Sequence, residues 1–175
     1  MLNVRNTRVF AALAAVGLSL AIAVASPASA AAPEASIATK VTVTYKTYTV
    51  KRVVDGDTLL LTNGARVRII GIDTPEKGEC GFTKSKAALV KLIQGKKVKL
   101  GNPSSVKNAD HYGRWLRTVV YEGKDVGLGE IKSGLANARY DSRDGYQYHP
   151  GEKAYRAMDA KVHHKCGAKM DRKGE

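Results

Sequence analysis

Between Val41 and Ile72 three β-prone runs follow one another closely, and this spacing constrains the fold more than any other feature of the chain. Residues 41–54 alternate in large part and are rich in Val, Thr and Tyr; residues 59–61 and 66–72 supply two further runs. Asn63-Gly64, lying between the last two, is a strong tight-hairpin signal, so a β-meander opens the domain. A helical pattern covers residues 83–94, with Ala87, Ala88, Leu89, Leu92 and Ile93 on an apolar face and Gly95 placed to end it. Strands are expected at 97–100 and 115–121, the latter closing in the turn signal Glu122-Gly123-Lys124. A glycine-interrupted helix over 126–133 and a last helix over 151–165, opened by Pro150, complete the pattern. About five strands and three helices predict an α+β fold: a small barrel with helices packed outside it.

The N-terminus has a different character. Arg5 and Arg8 precede an uncharged run over residues 9–25, and Ala28-Ser29-Ala30 offers the small residues that a signal peptidase requires. Residues 1–30 therefore read as a secretory signal cleaved near Ala30, making the product secreted and extracellular. The uncharged run is short for a membrane anchor. Residues 31–40 read as a disordered leader, 41–166 as the folded domain and 167–175 as a charged tail. Export brings an oxidising compartment, and Cys80 and Cys166 are the two cysteines present, so one disulfide between them is expected.

The full chain carries a formal charge of +13; cleavage removes two arginines and no acid, leaving +11. Such an excess draws polyanions, with nucleic acid foremost and anionic membranes or cell-wall polymers as competitors. Charge alone does not choose among them.

Four polar clusters bear on chemistry. Asp55-Gly56-Asp57 lies between two β-prone runs, and alternate residues of an extended chain share a face, so the two carboxylates can approach one hard cation; a plain Asp-Gly turn is the other reading. Asp73-Thr74-Pro75-Glu76 follows a strongly apolar strand and adds two more carboxylates, again with a simple turn as the alternative. Arg68 stands between Val67 and Ile69, where a buried charge needs a partner or a ligand. Strict alternation would put Arg68 and Asp73 on opposite faces, and a bulge at Gly71 is expected to reunite them. In Asp110-His111-Tyr112-Gly113-Arg114 the guanidinium of Arg114 could grip two phosphate oxygens, and Tyr112 could hydrogen-bond a phosphate or stack on a base. Two other features carry less. Asp141-Ser142-Arg143-Asp144-Gly145 lacks EF-hand spacing and its closing glutamate, and reads as a turn; His163-His164 reads as a helix-end pair rather than a zinc site.

Taken in order, Lys51-Arg52-Val53-Val54-Asp55-Gly56-Asp57-Thr58, Arg68 through Asp73-Thr74-Pro75-Glu76, Tyr112-Gly113-Arg114 and Ser133-Gly134-Leu135-Ala136 resemble the staphylococcal nuclease (thermonuclease) family, across residues 45–164. The resemblance implies an OB-fold five-stranded β-barrel with three helices. It also implies calcium-dependent hydrolysis of phosphodiester bonds in DNA and RNA, leaving 3′-phosphates. By motif position, Asp57 and Asp73 would be Ca2+ ligands, with the carbonyl of Thr74 beside them and Asp55 in support. Arg68 and Arg114 would contact the scissile phosphate, and Glu76 would serve as general base or position the attacking water. Tyr112 and Tyr140 would line the nucleotide site, joined by His111, which stands where the family has lysine. The loop after Glu76 is also shorter than in the long form of the family, with only Lys77-Gly78-Glu79 before Cys80.

Two rival classes share the positive charge: a non-catalytic nucleic-acid-binding barrel and a cationic adhesion protein. Neither needs the clustered carboxylates. DNA and RNA are the expected partners as substrates, and nothing in the chain calls for more than a monomer.

Overall fold

The computed structural model describes residues 40–164 and Cys166. The signal at 1–30, nearly all of the leader and the tail at 167–175 lie outside the described residues.

A long first strand, β1 (Val43–Val53), makes closure of the barrel possible because it serves two neighbours. Val43 to Thr49 pair antiparallel with β5 (Lys97–Pro103), whereas Val50 to Val53 pair with β2 (Thr58–Leu61). The register shifts between Val50 and Arg52, and an irregularity of this kind bends a strand and increases its twist. β2 runs into β3 (Arg66–Ile69) through the hairpin at Asn63-Gly64, and β5 pairs with β6 (Trp115–Tyr121). Parallel pairing of β3 with β6 then joins the two edges into a closed five-stranded barrel of β1, β2, β3, β6 and β5. This is the OB-type barrel with three helices that the sequence predicts.

Three short strands lie beside the barrel. β7 (Lys124–Asp125) extends the hairpin from β6, while β4 (Ile72–Asp73) pairs with β8 (Asn137–Ala138) in a separate ladder. The first helix, α1 (Phe82–Ile93), buries Ser85, Leu89 and Ile93, one residue per turn, leaving Leu92 exposed; its inward stripe is narrower than the expected apolar face. Asp125 caps α2 (Val126–Lys132) by accepting a hydrogen bond from the Leu128 N–H at 3.0 Å.

The last helix, α3 (Glu152–Asp159), ends well short of residue 165. Beyond it the chain reaches Cys166, which is bonded to Cys80 with the Cα atoms 5.8 Å apart. His163 and His164 therefore lie past the helix end, and His164 Nε2 sits 3.1 Å from Asp159 Oδ1.

Leu59, Leu61, Val67, Ile69, Val98, Leu100 and Val119 fill the barrel, with Leu89 and Ile93 from α1 and Ile131 from α2 continuing the same core. Full burial of each large aliphatic side chain contributes roughly 1.5–3 kcal/mol. This interior sets the exterior parity: with Val53, Leu59 and Val67 inside, Arg52, Leu60 and Arg66 face out.

Candidate active site

At one rim of the barrel a single arginine lies between two buried carboxylates. Arg68, near the end of β3, forms an ion pair with Asp57 Oδ1 and places a second guanidinium nitrogen 3.6 Å from Asp73 Oδ1. That same nitrogen donates to the Ile72 carbonyl at 2.9 Å. Asp57 and Asp73 are only 3% and 6% exposed, so two desolvated negative charges share one cation and leave an uncompensated charge suited to a hard divalent ion. Burial pulls the pKa of Arg68 down; Asp73 works against that shift, while the nearby Arg114 adds to it.

Local backbone geometry brings these groups together. β3 stops at Ile69, Gly71 takes a left-handed φ of 76°, and β4 starts afresh at Ile72. The reversal does the work expected of a bulge, turning Asp73 to the side of Arg68; a side chain at Gly71 would also meet the His149 ring. Asp57 is fixed on both oxygens. Its Oδ2 accepts from the Thr74 N–H at 3.1 Å and the Thr74 hydroxyl at 2.8 Å, and its Oδ1 accepts from Thr58 Oγ1 at 3.2 Å. Asp55 supports from behind, its Oδ1 accepting the Asp57 N–H at 3.1 Å. The Asp-Gly turn and the carboxylate site are thus one object.

Gly56 shows why no larger residue fits between the two aspartates. A Cβ there would run into the hydroxyl of Ser85 on α1 and come within 2.8 Å of Thr74. Ser85 is fully buried, and its hydroxyl has no hydrogen-bond partner among the described residues. It belongs to the wall of the site, and its place one turn before Leu89 on the inward stripe of α1 was the available sequence signal.

The remaining expected residues lie on the turns and loops that follow the strands. Arg114 is held by Asp110, with Nε 2.7 Å from Oδ2, and its guanidinium lies 5.3 Å from the Tyr112 ring. Burial pushes the Asp110 carboxyl up, but hydrogen bonds from the Arg114 N–H and side chain and from the Tyr112 N–H outweigh it and lower the pKa. His111 and Tyr112 are exposed, their rings 3.7 Å apart. Glu76 is exposed beside Pro75, and its carboxylate has no partner among the described residues; its backbone N–H donates to Glu79. Tyr140 closes the other side, with the Arg68 guanidinium 5.5 Å from its ring. Burial raises its pKa, helped by Asp73. Its φ of 59° is rare for a bulky residue and is held by the Asp144 carboxylate, which accepts the Tyr140 N–H at 2.7 Å. Tyr146 packs edge-on against Tyr140 at 5.2 Å, an aromatic contact that sequence reading missed.

Asp141 to Gly145 is the turn expected from its spacing. Asp141, His149 and Glu152 do bring ligand-type atoms within 4.8 Å of one another. Arg156, however, occupies both Asp141 oxygens at 2.6 and 2.8 Å, and Ser142 occupies both Glu152 oxygens. These acids fasten α3 to the segment that carries Tyr140.

The fold and the site define an OB-type barrel protein with an acidic, arginine-centred rim. The chain belongs to the staphylococcal nuclease homologue family, whose model matches residues 66–165. It is 38% identical over 91 residues to an uncharacterized endonuclease of Haemophilus influenzae, covering 50% of this chain and 49% of that one. It is 34% identical over 118 residues to the thermonuclease of Staphylococcus intermedius, covering 58% and 66%, and 34% identical over 119 residues to that of Staphylococcus hyicus, covering 59% and 64%. The chain thus spans between about half and two thirds of the length of these curated relatives.

Proposed function

We propose that this protein is an exported, calcium-dependent endonuclease that hydrolyses phosphodiester bonds of DNA and RNA and leaves 3′-phosphates. The observation that carries the reading is the buried pair Asp57 and Asp73 around Arg68. Thermonuclease and endonuclease relatives support the reaction class. The hydrophobic N-terminal run and the Cys80–Cys166 disulfide support export.

The donor set suits calcium, since two hard carboxylates and a nearby backbone carbonyl at Thr74 are oxygen ligands. Bound there, calcium would supply positive charge to the phosphoryl oxygens as water attacks. The protein's own residues do the rest. Arg68 and Arg114 bind and neutralise phosphate oxygens, most strongly when charge builds up in the transition state. Glu76 accepts a proton from the attacking water or aligns it; an exposed carboxylate with no internal partner is free to do either. Tyr140, Tyr112 and His111 flank the nucleotide. Breaking the bond on the 5′-oxygen side requires no 2′-hydroxyl, so DNA and RNA are both substrates.

The direct test incubates the mature protein with plasmid and with RNA, in calcium or in chelator, beside Glu76→Gln and Arg68→Ala variants. Cleavage is expected in calcium only, with 3′-phosphate ends. Intact substrate after incubation with calcium defeats the reading and favours a non-catalytic binding barrel.

A further inference from the structure

β1, β2, β3 and β5 contain no aspartate or glutamate, yet they carry seven Lys and Arg residues. A solvated protein face ordinarily mixes both signs, and like charges gathered on a sheet repel and cost stability. Strand register shows where these cations point. Arg52, Leu60 and Arg66 form one cross-strand row, and the opposite parity, Val53, Leu59 and Val67, lies in the core. Lys97 pairs with Thr49 and Lys99 with Thr47, while Val98 and Leu100 face inward, so both lysines join the outer wall. Arg52, Arg66, Lys97 and Lys99 are all exposed, and among the described residues none forms an ion pair.

The wall runs into the active site. Arg66 lies two residues before Arg68 on the same strand and the same side, about 7 Å away; Arg52 lies two strands over from Arg66, about 10 Å, and Lys97 lies on the next strand, opposite Thr49 three residues before Arg52. We propose that this outer wall is a track for the nucleic-acid strand beyond the scissile phosphate, with Arg66, Arg52, Lys97 and Lys99 neutralising successive phosphates. The inference rests on the nuclease reading and deepens it: it makes the enzyme favour long strands over short ones. Because the wall's cations meet successive phosphates, the recognition is of the backbone and independent of base sequence.

The test measures binding of single-stranded DNA in chelator, where no hydrolysis occurs, for oligonucleotides of about 4 and about 16 nucleotides. The parent protein is compared with a variant carrying Arg52→Gln, Arg66→Gln, Lys97→Gln and Lys99→Gln. A control carries Lys84→Gln, Lys91→Gln, Lys132→Gln and Lys153→Gln, four exposed helix positions. On the longer strand the track variant is expected to reduce the slope of log K against log salt by about 3 and to weaken binding tenfold or more, with the control close to the parent. A Lys97→Gln/Lys99→Gln double variant, remote from Arg68, is expected to show about half that slope change. An unchanged slope, an equal loss in the control, or equally variant-sensitive binding to anionic vesicles overturns the proposal. Calcium-dependent hydrolysis of the longer oligonucleotide is read in parallel: its absence in the parent sinks the nuclease reading, whereas its presence beside an unchanged slope sinks the track alone.

Discussion

Thr74 holds Asp57 with two hydrogen bonds, one from its backbone N–H at 3.1 Å and one from its hydroxyl at 2.8 Å, across 17 positions of sequence. This clamp ties the turn between β1 and β2 to the segment after β4, so the two acidic clusters act as one site. The Oδ2 of Asp57 that it fixes is also turned away from Arg68, which engages Oδ1.

Removing the hydroxyl at unchanged shape tests the clamp. Thr74→Val is expected to cost about 1–3 kcal/mol in urea unfolding, because a buried carboxylate loses a charge-assisted bond. Calcium affinity, followed by calorimetry, is expected to fall with it, since Asp57 gains freedom to turn. A variant with parental stability and calcium affinity would falsify the clamp.

Glu76 should behave in the opposite way. It is exposed and its side chain is unpartnered, so Glu76→Gln is expected to leave unfolding free energy within about 0.5 kcal/mol. Because its proposed role is to accept a proton from the attacking water or to align it, its loss is expected to lower kcat by roughly 10²–10⁴. Steady-state kinetics on DNA beside a denaturation curve separates the two effects; full activity in the variant moves the base to another group and leaves the carboxylate–arginine centre untouched.

The disulfide closes a long loop, Cys80 and Cys166 being separated by 86 positions, and anchors the segment just after Glu76 to the chain beyond α3. Cys80→Ala/Cys166→Ala is expected to lower stability by about 2–5 kcal/mol, read from chemical unfolding with and without reductant on the parent. If the parent yields two alkylatable thiols before reduction, the covalent tie is absent from the protein as made.

Much of this organisation was legible in the sequence because it rests on local rules. β6 falls on residues 115–121 as expected, and the Asn63-Gly64 turn joins β2 to β3. The meeting of Asp57, Arg68 and Asp73 was legible for a different reason: the three have weak meanings singly and one joint meaning in order. What escaped depends on contacts between distant segments. α3 stops at Asp159, and the chain beyond it runs against Gly134 and on to the bond with Cys80, long-range contacts that no helical periodicity encodes. Ser85 looks like an ordinary helix residue until Gly56 is placed against it, and the left-handed backbone of Tyr140 follows from its bond to Asp144 rather than from its side-chain type.

In α2, Glu130 buries a carboxyl where an apolar residue would serve the packing. It is 4% exposed, its Oε2 has no hydrogen-bond partner among the described residues, and burial raises its pKa to about 7 from an ordinary 4.5. The folded protein therefore holds a proton that the unfolded chain releases at lower pH. Stability is unaffected below about pH 4.5, falls as pH rises from there to about 7, and is flat above, with a total loss of about 3 kcal/mol. Glu130→Gln keeps the shape and cannot ionise, so it is expected to match the parent near pH 4 and exceed it by about that amount at pH 8. Urea midpoints measured across this range check the claim. A gap of the same size at both ends would assign the cost to packing around α2 instead of to the charge.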